Sequence, residues 1–207
     1  MTISVRSSNK KIEMHNTLSI LLIEDQQLNN SILKSALITE HHHILNDNDS
    51  SLTLAEKCMQ YHPDILIINT NIPTQDTLKE LAIIDQLAPL PVLIYAKQET
   101  QSLIKLSIKA GVSAYIVNKD HSERLVNLIT LACERFKQRQ SLRDELNQTK
   151  TQLANRKIVE RAKGYIMQHK SLSEQEAFNL LRQAAMNKGQ TLAIVSKNIA
   201  DTYDLLN

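Results

Sequence analysis

The stretch PDILIINTNIP, residues 63–73, decides the fold of this chain. A continuous apolar run between two prolines, rich in isoleucine, reads as a strand covered on both faces, as in a parallel sheet. Working outward from Asp64–Ile68, similar short runs recur at Leu18–Ile23, His43–Asn46, Pro91–Tyr95 and Ala114–Val117. Amphipathic stretches of helix length lie between them, at about 26–39, 51–61, 75–87 and 99–110, the last closed by Gly111 as a helix-terminating residue. Strand and helix alternating in this way predict an α/β domain, a doubly wound five-stranded parallel sheet. Its functional crevice should lie at the C-terminal strand ends.

The residues at those ends carry a resemblance. Glu24 and Asp25 follow the first strand, Asn69 the third, Ala96 the fourth, and Asn118 and Lys119 the fifth. The pattern over residues 17–120 resembles the receiver domain of bacterial response regulators. That family has an acidic pair, a phosphoryl-accepting aspartate, a hydroxyl residue and a lysine at these four places. The departures bear on the chemistry. Asn69 is a neutral carboxamide that cannot form an acyl phosphate. Ala96 lacks the hydroxyl, and Asn118 stands where the lysine belongs unless Lys119 slips into its place. A pseudo-receiver is therefore expected, with Glu24, Asp25, Asn69, Ala96, Asn118 and Lys119 as a degenerate phospho-acceptor site. Glu24 and Asp25 read as a solvated acidic pair rather than a residual metal site, because the third carboxylate is missing.

Composition narrows the function classes. The three glycines, Gly111, Gly164 and Gly189, are far apart. A dinucleotide fingerprint or phosphate loop needs two or three in one short window, so neither is present. Cys58 and Cys133 have no zinc or disulfide spacing. Neither the polar opening MTISVRSSNKKIEMHN nor any later run reads as a leader or a membrane span. A cytoplasmic protein without membrane contact is expected. His41, His42 and His43 read as a loop entering a strand, where adjacent side chains point to opposite faces and do not share a metal. No metal site, no cofactor and no enzymatic activity are expected, since no nucleophile–base pair appears.

Charge divides the chain. Residues 17–120 hold seven Lys, no Arg and twelve acids, while residues 121–207 hold fourteen Lys or Arg and nine acids. An acidic front and an arginine-bearing back point to nucleic acid at the back, or to no more than a solvated helical surface. From Ser122 to about Lys170 no proline occurs, which predicts one long helix. Leu142, Leu146, Thr149 and Leu153 follow a 4-3-4 spacing, the seam of a parallel coiled-coil dimer. Carried backward the seam meets Arg135 and Arg139, so it should be short, and an exposed helix in a monomer is the alternative. Three helices fit residues 156–207. Ser173 with Glu176 forms a capping box for the second and Thr191 caps the third, a small three-helix bundle.

The string RKIVERAKGYIMQHKSLSEQEAFNLLRQAAMNKGQTLAIVSKNIADTYDLL, residues 156–206, resembles an ANTAR domain, the RNA-binding module of bacterial transcription antiterminators. Receiver, coiled coil and ANTAR in this order are similar to the AmiR and NasT regulators. The resemblance implies a homodimer that binds hairpins in a leader mRNA. It also implies control by a ligand-sensing partner protein, for nitrate or for an amide, with nitrate or nitrite assimilation as the expected setting. The expected organisation is a tail at 1–16, a pseudo-receiver at 17–121, a connecting helix at 122–155 and an ANTAR domain at 146–207. Candidate RNA contacts are a basic strip of Arg156, Lys157, Arg161 and Lys163, completed by Arg182, Lys188 and Gln190. Gly164 would let RNA approach the helix, or let a neighbouring helix pack closely. Tyr165, Cys133 and Met186 read as packing residues. A DNA-binding response regulator is the alternative, although Lys197 beside Asp201 and Asp204 makes the last helix a poor groove reader. A chain that only dimerises through its basic helix is a third.

Overall fold

A computed structural model describes residues 17–25, 31–45, 51–117 and 124–206. The chain divides into two compact units after Arg139. The first contains five strands, β1 (Ser19–Glu24), β2 (His43–Leu45), β3 (Ile65–Thr70), β4 (Val92–Ala96) and β5 (Ala114–Val117). They form one parallel sheet in the order β2-β1-β3-β4-β5. Chain direction across the sheet reverses between β1 and β3, the topological switch point where open α/β sheets place their crevice. Helices α1 (Ser31–Thr39), α2 (Leu54–Tyr61), α3 (Gln75–Leu87) and α4 (Gln101–Lys109) connect the strands, and α5 (Leu125–Lys170) follows them.

Continuous apolar strands require cover on both faces. On one face Leu21, Leu66, Ile68 and Ile94 pack with Cys58, Leu78, Leu81 and Ile84 from α2 and α3. On the other, Ile20, Ile65, Ile67 and Leu93 meet Leu33 and Leu37 of α1 and Leu125, Ile129 and Ala132 of α5. Each of these fully buried isoleucines and leucines contributes roughly 1.5–3 kcal/mol.

Several boundaries shift by one to three residues from the sequence expectation, those of β3 and β4 next to the cleft among them. β3 runs on to Thr70, so Asn69 lies inside the strand, with Glu24 and Tyr95 as its neighbours in register. β4 starts at Val92 because Pro91 has no N–H to give a ladder; its carbonyl still accepts from the Leu66 N–H at 3.0 Å. Gly111 follows the α4 cap at a φ of +95°, and a Cβ there would sit 2.8 Å from the Asp85 side chain. The Asp85 carboxylate in turn holds the Arg139 guanidinium at 2.6 Å. Arg139 also lies over the Phe136 ring, 5.8 Å from its centroid. Arg139 thus has partners inside the first unit.

The second unit contains the rest of α5, then α6 (Glu174–Lys188) and α7 (Leu192–Leu206). Its core is Ala162 and Ile166 of α5 against Ala177 and Leu181 of α6, with Val159, Leu180, Leu192 and Ile199 around them. Ser173 and Glu176 form the expected capping box, and Gly189 ends α6 in the left-handed region at a φ of +59°. The Thr191 hydroxyl accepts from the Ile194 N–H at 3.3 Å, capping α7. The tail 1–16 and the pair Asn118 and Lys119 lie outside the described residues.

Candidate functional site

At the C-terminal edge of the sheet, Glu24, Asp25, Asn69 and Thr70 line a cleft of about 450 Å³ with Lys57 of α2 and Glu80 of α3. Asn69 is 2% exposed, and its Nδ2 donates to Glu24 Oε1 at 3.1 Å. The Asp25 N–H donates to the Asn69 carbonyl at 3.0 Å, so β1 and β3 are tied through both main chain and side chain. Glu80 Oε2 accepts from the Leu54 N–H at 2.6 Å, at the start of α2. Ala96 is buried at the end of β4 and brings no polar atom to the cleft. A divalent cation fits this set poorly. Asn69 turns a donor, not an anionic oxygen, towards Glu24, and no group of three or more potential ligands gathers among the described residues.

In the second unit the structure divides the expected basic strip. Arg156 and Lys157 are exposed on α5. Lys163 is not on the exposed strip, a correction to the sequence reading. It is 7% exposed, and its Nζ bonds Glu160 Oε2 at 2.8 Å and Glu174 Oε1 at 2.6 Å. The Glu160 carboxylate, with Glu174, raises the Lys163 pKa, and Lys163 holds the Glu174 carboxyl below its ordinary range. Arg161 is half-exposed but pairs with Asp204 of α7. Asp204 also accepts from the Tyr165 hydroxyl, whose ring stacks on Tyr203 at 5.3 Å, with His169 on Tyr203 at 4.6 Å. Tyr165 thus lies half-buried beside the core cluster, against α7, with its hydroxyl and ring both engaged within the unit.

Gly164 is exposed, and a Cβ built there meets nothing within 4 Å. Close helix packing does not explain it. Arg182 and Gln190 come together at the α6–α7 corner, lining a groove of about 410 Å³ with Phe178, Met186 and Leu192. Lys188 is in the last turn of α6. Met186 is 72% exposed, so it is not the packing residue the sequence reading made it. Phe178 escaped that reading altogether, although Phe178, Arg182 and Met186 sit at a four-residue spacing that puts them along one helix face. Leu142, Leu146 and Leu153 are 67%, 53% and 56% exposed, an apolar row on α5 that none of the described residues covers. Thr149 donates its hydroxyl to the Glu145 carbonyl one turn earlier.

Comparison with known proteins agrees with this division. The response regulator receiver domain model matches residues 20–130, and the ANTAR domain model matches residues 147–199. The transcriptional regulatory protein PdtaR of Mycobacterium tuberculosis is 26% identical over 183 residues, covering 88% of this chain and 89% of that protein. The chemotaxis protein CheY of Bacillus subtilis is 23% identical over 113 residues, 53% of this chain and 92% of its own. A pilus assembly-related protein from Burkholderia pseudomallei shares the fold at a TM-score of 0.50 and 14% identity, over 57% of this chain and 91% of that one. With the receiver match spanning more than half of its length and an ANTAR domain behind it, the chain belongs to the response regulator family, as an ANTAR-domain response regulator.

Proposed function

We propose that this regulator binds stem–loops in a leader mRNA through its ANTAR domain and so prevents transcription termination. The observation that carries the reading is the set of exposed cations Arg156, Lys157, Arg182 and Lys188 on the ANTAR segment. None of them forms an ion pair among the described residues. Phosphates flanking a loop need such cations, and loops expose bases for contact. Gly164 belongs to the same reading. A glycine in a helix costs about 1 kcal/mol relative to alanine, and its open surroundings favour a backbone kept bare for RNA. We assign the ANTAR domain to about 146–207, the pseudo-receiver to 17–121 and the connecting helix to 122–155. The protein acts in the cytoplasm as a homodimer joined at Leu142, Leu146, Thr149 and Leu153.

Control comes from a ligand-sensing partner protein, for nitrate or an amide, rather than from phosphorylation. Asn69 and Ala96 support this: one cannot accept a phosphoryl group and the other cannot bond it. Nitrate or nitrite assimilation is the setting we favour. Gel shifts of the full chain with leader stem–loop RNA and with duplex DNA test the reading. RNA binding should weaken with salt, with a log–log slope of about −3 for four phosphate contacts. Tighter binding to duplex DNA would replace this reading with that of a DNA-binding regulator; no nucleic-acid binding would leave only dimerisation.

A further inference from the structure

We propose that the groove at the α6–α7 corner seats one unstacked base of the RNA loop, an inference that rests on the RNA-binding reading above. Gly189 turns the chain through the left-handed region, and Gln190 and Leu192 then line one groove with the face of α6 that carries Phe178, Arg182 and Met186. The Gln190 N–H donates to the Ala185 carbonyl at 3.0 Å, so its main chain is pinned while its side chain belongs to an exposed residue. The walls are apolar. Phe178 is half-buried and Met186 is 72% exposed, a large thioether left uncovered beside one of only two phenylalanines in the chain.

Charge selects the occupant. Residues 177–200 contain Arg182, Lys188 and Lys197 and no Asp or Glu. None of the three cations is in an ion pair among the described residues. On α5, by contrast, Lys163 and Arg161 are already neutralised by carboxylates, which leaves Arg156 and Lys157 as the exposed cations of that helix's basic strip without an ion pair among the described residues. A nucleotide matches such a groove group by group. The base face lies on Phe178 and Met186, the Gln190 carboxamide offers a donor and an acceptor to the base edge, and the Arg182 guanidinium meets the adjoining phosphate. A purely apolar partner would leave Arg182 and Gln190 without use.

The test uses the full chain and a pool of RNA stem–loops with a fixed stem and a randomised loop. The tightest member is remade with each loop position abasic in turn. In the wild type, one abasic position should weaken binding about ten-fold. In Met186→Ser and Gln190→Ala, both at exposed positions, the same abasic change should cost less than about two-fold, because the base has already lost its seat. Arg156→Ala should lower affinity for intact and abasic loops alike and keep the ten-fold difference. The groove assignment is overturned if both groove variants retain the full penalty, or if no abasic position matters while the stem–loop still binds. It is also overturned if Met186→Ser changes only the oligomeric state. Failure of the wild type to bind any member of the pool would instead sink the RNA reading itself.

Discussion

Lys163 shows how a single position changes meaning once its neighbours are known. Its charge was legible in the sequence, but Glu174, its partner across the turn between α5 and α6, was not, because it stands eleven residues away on another helix. Lys163→Met should therefore lower the melting temperature, by about 5 °C, while Glu160→Gln, which leaves Glu174 in place, should cost less. Equal thermal stability with lost RNA affinity would return Lys163 to the interface. Gly164→Ala should do the reverse. The new methyl meets nothing, so the helix should gain about 1 kcal/mol, yet RNA affinity should fall if the bare backbone lies against RNA. Unchanged affinity would remove Gly164 from the proposed surface. At Asn69 the neutral carboxamide was readable from the residue type alone; its hydrogen bond to Glu24 was not. Asn69→Asp places a second carboxylate against Glu24, so the variant should melt lower at pH 7 and recover part of the loss with Mg²⁺ or at lower pH. Small phosphodonors should still fail to label it, because Ala96 offers no hydroxyl; rapid labelling would refute that reading of the cleft.

Secondary elements were read well where local chemistry sets them. The capping box at Ser173 and Glu176, the Gly189 stop and the span of α3 all follow from side chains acting within one turn. Elements set by tertiary neighbours were read less well: β3 gains its last two residues from partners on β1 and β4, which spacing along the chain does not reveal. The start of α6 gives a pH prediction. Hydrogen bonds from Ser173 hold Glu176 below the ordinary carboxylate range, and Lys163 does the same for Glu174. The folded helix start thus binds fewer protons in acid than the unfolded chain. Its contribution is complete above an ordinary glutamate pKa of about 4.3 and is lost as pH falls through the lower folded values. The melting temperature of the full chain should drop in that window, and the drop should be smaller in Glu176→Gln. Superimposable pH profiles for the two proteins would contradict the assignment. Cys58, whose thiol burial pushes up to about 11, should resist alkylation at pH 8 until the chain unfolds.

At the scale of the whole molecule, one element belongs to both units: α5 buries Leu125 and Ile129 in the first and Ala162 and Ile166 in the second. The sequence showed this helix as an uninterrupted run, yet it could not show that Arg139, on the backward extension of the seam, is held by Asp85. Arg135 and Arg139 put charges on that extension, so the apolar row begins only at Leu142. Leu146→Glu should convert the proposed dimer to a monomer in sedimentation while leaving the far-ultraviolet spectrum intact; an unchanged mass would show that the row has another use. The shared helix also constrains how such a protein can be rebuilt. Each residue added within it turns the later side chains of the helix by roughly 100° about its axis, and seven bring them back to the same stripe to within about 20°. Seven residues inserted after Leu146 should therefore keep Leu142 and Leu153 on one stripe and leave the sedimentation mass unchanged, whereas an insertion of two should split the row and lower it.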